Sequence, residues 1–289
     1  MSLLEAVVLG LVQGVTEFLP ISSTAHLRIA PALLGWDDPG AAYSAVIQLG
    51  TVLAVILYFR REIVRIAVAV ARGIARRDPW SDLDSRLGWL VVGGTIPIGI
   101  AGLAFKQTIE TSLRSLYVIS GSLIALAILL FLAERLATHR RSMPEMTMKD
   151  GLVIGLWQAL ALVPGSSRSG TTLTGGLFLG LRREDAARFS FLLSIPATSL
   201  AGVFELRHLL KTTDRPSNLV LLAVGTLVSF ASGTAAIAGL LRFLRTRTTL
   251  VFVVYRIALG VLLLALLGTG VLDPGAGTEA QLRVQSQAR

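Results

Sequence analysis

The chain has 289 residues, of which 53% are hydrophobic and 16% charged, and its mean hydropathy is +0.69. Soluble domains carry about 25% charged residues, so this balance indicates an integral membrane protein. Cysteine is absent, which excludes disulfides, thiolate nucleophiles and cysteine-ligated zinc. The net charge of +9 lies in loops rather than on one amphipathic face, which favours the positive-inside pattern of membrane proteins over nucleic-acid binding.

The apolar N-terminus has no Lys or Arg ahead of it, and Glu5 comes early. It is therefore expected to stay attached rather than to act as a signal peptide. Residues 3–35 are apolar but broken by Gln13-Gly-Val-Thr-Glu17-Phe-Leu-Pro20-Ile-Ser22-Ser23-Thr24-Ala-His26. Such a break frees backbone polar groups, which a membrane tolerates only where protein or a wet cavity satisfies them. The segment is read as a re-entrant helix–loop–helix, the alternative being two kinked spans. Three spans follow, at 41–60, 86–105 and 115–136, each near the roughly 20 residues a bilayer requires. Residues 149–181 repeat the broken pattern around Pro164-Gly-Ser166-Ser167-Arg168-Ser169-Gly170-Thr171-Thr172. Spans at 185–207, 218–241 and 249–270 come next. The polar stretch 273–289 is expected to be a disordered end.

The two broken segments resemble one another. Pro20-x-Ser22-Ser23 and Pro164-x-Ser166-Ser167 are 144 positions apart. Tyr43 to Gly50 aligns loosely with Phe189 to Pro196 at an offset of 146, and Arg61 and Arg207 close the following spans at that offset. Each half is thus one hairpin plus three spans, and an odd number of spans inverts the second half. The predicted fold class is an all-α polytopic membrane protein, with six transmembrane helices and two re-entrant hairpins as inverted repeats. A single domain would cover 1–272, with repeats at about 1–137 and 149–272. Inverted repeats bring broken segments together near the midplane, where ligand sites form.

Loop charge sets the orientation. Residues 60–86 carry Arg60, Arg61, Arg65, Arg72, Arg76, Arg77 and Arg86, and 135–149 carry Arg135, Arg140, Arg141 and Lys149. Arg182, Arg183, Arg242, Arg245 and Arg247 fall on the same side if both hairpins are re-entrant. The opposite loops, with Lys106, Arg114, Arg207, Lys211 and Arg215, are poorer. The rich side is expected to be cytoplasmic, so the first hairpin and both termini would face outward.

Ionisable groups inside spans are costly and functional by default. Gln13 and Glu17 are four apart and share a helix face. Together they could offer oxygens to Mg²⁺ or Ca²⁺ held jointly with substrate phosphates; alternatively Glu17 is protonated in the core. Ser22, Ser23 and Thr24 stand where a half-helix begins, the position of ordinary N-caps, and of hydroxyls that can meet phosphate. His26 follows Ser23 by three positions, so it could take the serine proton or attack phosphorus itself. Around Ser166, Ser167, Ser169, Gly170 and Thr172, hydroxyls and backbone N–H groups at a helix start form a predicted anion site. Arg168 adds a fork that matches phosphate, unless it only pairs with Glu17. Arg256 either lines the cavity or snorkels to the edge. Arg28, two positions after His26, is expected to face elsewhere than His26 and to be interfacial, and Glu134 to be solvated at a span end.

At these motifs the chain resembles the undecaprenyl-diphosphatase family of bacteria, of the bacitracin-resistance type. That family is marked by (Glu/Gln)-x-x-x-Glu running into Pro-x-Ser-Ser-Thr-x-His, and by a distal Pro-Gly-x-Ser-Arg-Ser-x-x-Thr. The match runs from Gln13 to His26 and from Pro164 to Thr172, and the likeness extends to about residue 270. The sequence departs at Gln13, where many members have Glu, which weakens any two-carboxylate metal site. The resemblance implies hydrolysis of undecaprenyl diphosphate to undecaprenyl phosphate and inorganic phosphate, recycling the lipid carrier for peptidoglycan. It implies divalent-metal dependence, and a site opening to the outer face of the bacterial plasma membrane. It also implies that Glu17, Ser23, His26 and Arg168 form that site. On architecture alone a polyprenyl-phosphate transporter or flippase competes. The nucleophile stays open between Ser23, with His26 as base, and His26 itself. A homodimer is one option for the oligomeric state.

Overall fold

The computed structural model describes residues 1–37, 40–80, 82–110, 113, 115–211 and 219–274. Arg114, Arg215 and the predicted tail from residue 275 onward lie outside the described residues. Helix α1, Leu3–Phe18, starts from a capping box in which Ser2 and Glu5 exchange hydrogen bonds. It stops where Pro20 forces Leu19 into an extended conformation. After a four-residue loop, Leu19 to Ser22, α2 runs Ser23–Leu34 and ends at Gly35, whose φ of 68° is left-handed. Then come α3, Gly40–Tyr58, α4, Arg60–Ala75, α5, Leu83–Ala104, α6, Lys106–Glu110, and α7, Leu116–Leu136. The second half opens with α8, Met148–Ala159, capped by Thr147 and Asp150. A 3-10 turn at Leu160–Leu162 and a break at Pro164 lead into α9, Arg168–Phe178. The remaining helices are α10, Arg183–Lys211, α11, Leu219–Leu244, and α12, Leu250–Gly268.

Among the described residues five helices are long and apolar enough to cross a membrane: α5, α7, α10 over Arg183–Phe204, α11 and α12. They coincide with five of the expected spans, and the chain is a helical, polytopic membrane protein. The sixth expected span, 41–60, is α3, whose apolar stretch Tyr43–Tyr58 is shorter than the others. Residues 60–75, read from sequence as a basic loop, are instead the helix α4. Its arginines masked an amphipathic pattern: Ile63 and Ile66 pack on the core while Val64, Val68 and Ile74 stay exposed.

Small residues set the packing, as is usual where lipid removes the hydrophobic drive between helices. Helix α11 lies against both α1 and α3. A Cβ on Gly10 would meet the Gly225 carbonyl at 2.5 Å, and one on Gly50 would collide with the Thr226 carbonyl. Gly155 and Gly94 bring α8 onto α5 in the same way. At the arginine-rich end, Arg141 clasps Asp150 at 2.7 Å and the Leu179 carbonyl at 2.9 Å, tying the α8–α9 hairpin shut. Glu134 is buried rather than solvated: it accepts from Arg183 and, at 2.8 Å, from the Thr249 hydroxyl, joining α7, α10 and the start of α12. A carboxylate is kept out of water here because several donors replace its hydration.

Candidate active site

The two hairpin loops meet, and local chain geometry explains how. Each begins with an extended residue before a proline, Leu19 and Val163. Each then turns through a serine in the left-handed region, Ser22 at φ 76° and Ser167 at φ 69°. A non-glycine residue there costs about 1–3 kcal/mol, a strain that clusters at functional sites. Both serines cap the helix that follows: Ser22 Oγ accepts from the Ala25 N–H at 3.3 Å, and Ser167 Oγ from the Gly170 N–H at 3.1 Å. The equivalent of Ser22 is therefore Ser167 and not Ser166. The offset of 144 read from the motifs is one short, because the second loop carries an extra residue. Ser23 and Arg168 are thus equivalent first residues of α2 and α9.

Both point at Glu17, at the end of α1. Arg168 Nη2 donates to Glu17 Oε1 at 2.6 Å, and Gln48 Nε2, from α3, donates to the same oxygen at 2.9 Å. Ser23 Oγ donates to Oε2 at 2.7 Å and Gln13 Nε2 to Oε2 at 3.0 Å. Four donors on one buried carboxylate offset its desolvation. Gln48 carries no motif and was not singled out from sequence; a carboxamide in an apolar helix is the signal that could have found it.

His26 takes a different place from the one expected. Its Nδ1 lies 2.7 Å from the Ser22 carbonyl, which only accepts, so Nδ1 carries the proton. Nε2 then accepts from the Tyr255 hydroxyl at 2.6 Å, and the two rings stack with centroids 5.6 Å apart. The acceptor for the Ser23 proton in this arrangement is Glu17, and the imidazole is turned to Tyr255. Tyr255, adjacent to Arg256, is a second residue the motifs did not reveal.

Arg256 does not snorkel. It is fully buried and donates to backbone carbonyls of both loops: Ser166 at 3.0 Å, Gly165 at 3.2 Å and Pro20 at 3.4 Å. Ser169 Oγ donates to the Leu19 carbonyl at 3.0 Å, and the Gly165 N–H to Thr24 Oγ1 at 3.5 Å. Thr172 is hydrogen-bonded to the Arg168 carbonyl and to Ser190. Ser22, Ser166, Ser167, Ser169 and Thr172 are all buried. As placed, the hydroxyls of Ser22, Ser167 and Ser169 serve the loops themselves, that of Thr172 ties α9 to α10, and Gly170 leaves room for Arg256, which a Cβ would meet at 2.7 Å.

A cavity of about 340 Å³ opens beside Ser23. Gln13, Ser23, Thr24, Arg28 and Gln48 line one part of it, and Leu27, Ile119 and Leu162 another. Arg28 therefore lines the cavity rather than lying at the interface as expected; it does face away from His26, which is turned to Tyr255 and does not line the cavity. An amphiphilic cavity next to two arginines and one carboxylate suits an anionic head on an apolar chain. For a divalent cation the donors are hard oxygens, but only Glu17 is charged, and Gln13 as placed presents its amide N–H. Among the described residues no three His, Asp or Glu side chains gather. The set fits Mg²⁺ or Ca²⁺ only if phosphate oxygens and water complete it, with the Gln13 amide turned over.

Fold and site together define a polytopic helical membrane protein that gathers buried polar and charged side chains where two broken helical segments meet. Residues 6–262 match the family described as Bacitracin resistance protein BacA, and the chain belongs to that family. It is 71% identical over 279 residues to an undecaprenyl-diphosphatase of Myxococcus xanthus, covering 96% of this chain and 94% of the relative. Undecaprenyl-diphosphatases of Chloroherpeton thalassium and Chlorobium phaeovibrioides are each 54% identical. The first covers 94% of this chain and 99% of the relative, the second 95% and 100%.

Proposed function

We propose that this chain hydrolyses undecaprenyl diphosphate to undecaprenyl phosphate and inorganic phosphate. The observation that carries the mechanism is the Ser23–Glu17–Arg168 constellation at the mouth of an amphiphilic cavity. The diphosphate enters with its prenyl chain along the apolar wall. Its terminal phosphate competes with Glu17 for Arg168, whose fork matches phosphate oxygens as well as carboxylate. As Arg168 turns to the phosphate, Glu17 keeps its contact with the Ser23 hydroxyl and stands ready to accept its proton. Ser23 Oγ then attacks the terminal phosphorus, its proton passing to Glu17, while the bond from that phosphorus to the bridging oxygen breaks. Undecaprenyl phosphate leaves, and water cleaves the phosphoserine to restore Ser23 and release inorganic phosphate. Arg168 and nearby N–H groups spread the charge that develops. His26, held between the Ser22 carbonyl and the Tyr255 hydroxyl, fixes the loop that presents Ser23. A divalent cation on Glu17 and Gln13, when bound, would neutralise part of the diphosphate charge.

The wider reading belongs to the same proposal. Two hairpins, each followed by three spans, form inverted halves of one domain, a view supported by the matched positive-φ serines. The arginine-rich end faces the cytoplasm of a bacterial cell, and the site opens to the outer side of the plasma membrane. There the reaction recycles the lipid carrier of peptidoglycan synthesis and resists bacitracin. A carrier that only bound the same anion would have no need of a hydroxyl directed at a carboxylate, which disfavours the transporter reading.

The test is inorganic phosphate release from undecaprenyl diphosphate by purified protein in detergent, with and without EDTA. Release that requires divalent metal and is lost in Ser23→Ala and His26→Ala is the expected result. Full activity in Ser23→Ala would remove the serine nucleophile and favour attack by His26. No release from folded wild-type protein would overturn the hydrolase reading itself.

A further inference from the structure

A second cavity, of about 480 Å³, lies between the α3–α4 corner, the start of α10 and the end of α11. A packed aromatic column separates it from the site above. Phe59 in its wall meets Phe191, with ring centroids 6.3 Å apart, and Phe191 meets Phe18, beside Glu17, at 5.2 Å. Four guanidinium groups line this cavity, from Arg60, Arg61, Arg188 and Arg245, against two carboxylates, Glu62 and Glu184. Both carboxylates are already matched. Arg188 donates to Glu62 at 2.9 Å, and Arg245 grips Glu184 through Nε and Nη2 at 3.0 and 2.9 Å. Arg60 is steadied by a neutral acceptor, the Leu57 carbonyl, at 3.0 Å, which leaves its charge uncancelled. Positive-inside charge alone calls for exposed basic residues but not for a concave, arginine-lined pocket.

We propose that this cavity binds a phosphate group, and that its source is the headgroup of an anionic membrane lipid. Arginine matches phosphate bidentately, and basic pockets between transmembrane helices are suited to acidic headgroups. The lipid source is favoured by α4, which leads away from the pocket. Its exposed Val64, Val68 and Ile74 accompany exposed arginines, the composition of a helix lying in a membrane interface. The pocket thus opens at headgroup depth.

The test uses full-length protein in nanodiscs of neutral lipid, alone, with phosphatidylglycerol, or with millimolar inorganic phosphate. Thermal unfolding and lipid retained in native mass spectrometry are read for four proteins. These are wild type, an Arg60→Gln/Arg61→Gln double variant, an Arg72→Gln/Arg76→Gln double variant as the surface-charge control, and Arg168→Ala to remove the other anion site. Phosphatidylglycerol is expected to raise the unfolding midpoint of wild type, Arg168→Ala and the control. The Arg60/Arg61 variant should lose most of that rise and retain about thirtyfold less of the lipid. It should unfold like wild type in neutral lipid and hydrolyse substrate at the wild-type rate. A rise with inorganic phosphate alone, absent from the Arg60/Arg61 variant, would keep the phosphate site but overturn the lipid source. Equal lipid retention by wild type and the Arg60/Arg61 variant, or equal loss in the control pair, would overturn the site.

Discussion

Glu17 is the residue on which the others converge, and its surroundings explain why sequence found some of them and missed others. Glu17, Ser23 and Arg168 stand out as polar groups in apolar segments, where each is costly to keep. Gln48 and Tyr255 come from helices with no motif, and only packing of α3 and α12 beside the hairpins brings them to Glu17 and His26. Their spacing puts Arg28 and His26 on different faces of α2, and so they lie, but it is Arg28 and not His26 that lines the cavity, which only the packing of α2 decides. The role of Arg168 is the sharpest point to test. Arg168→Ala both leaves the buried Glu17 charge without its 2.6 Å partner and removes the phosphate fork. Turnover should fall by about 100-fold or more, with little rescue by Arg168→Lys, which lacks the planar fork. A variant retaining over about a tenth of wild-type phosphate release would take Arg168 out of the chemistry.

Among the elements, the paired loops show how a repeat can be legible and still be read one residue out of register. The Pro-x-Ser-Ser match aligns letters, whereas the positive-φ serines align backbone. Gly165 takes φ 91° and packs so closely that a Cβ would meet the Ile119 carbonyl at 2.5 Å. It accommodates the extra residue. Arg256 fastens both loops through backbone carbonyls, which no side-chain pattern reveals. Arg256→Met should leave those carbonyls without a donor and destabilise the protein by about 1–3 kcal/mol, with turnover reduced as the loops separate. Thermal unfolding in detergent beside phosphate release measures both. An unchanged midpoint would mean that Ser122, which donates to Pro164 at 2.5 Å, and Ser169 hold the loops unaided. Helix α4 makes the converse point: its charges dominated the composition, and its apolar stripe became evident only against α5.

For the molecule as a whole, charge asymmetry and long apolar helices carry the membrane reading. Orientation is open to direct measurement because the chain has no cysteine of its own. Arg77→Cys, after α4, should resist a membrane-impermeant maleimide added to intact cells and react after permeabilisation. Thr269→Cys, at the end of α12, should react from outside. The opposite pattern would invert the topology and put the Ser23 cavity on the wrong side for an outward-opening enzyme.

The sequence by itself determined the helical membrane class, the positions of five spans, the two breaks and the polar residues within them. These follow from hydropathy, from proline and from the cost of ionisable groups in hydrocarbon, all local properties of the chain. Only the tertiary structure decided which hydroxyl meets Glu17, that His26 turns to Tyr255, that Arg256 joins the loops and that four arginines enclose a second cavity. Those outcomes depend on how close helices approach and which way each is rotated. That is settled by contacts such as Gly10 with Gly225, between residues far apart in the chain.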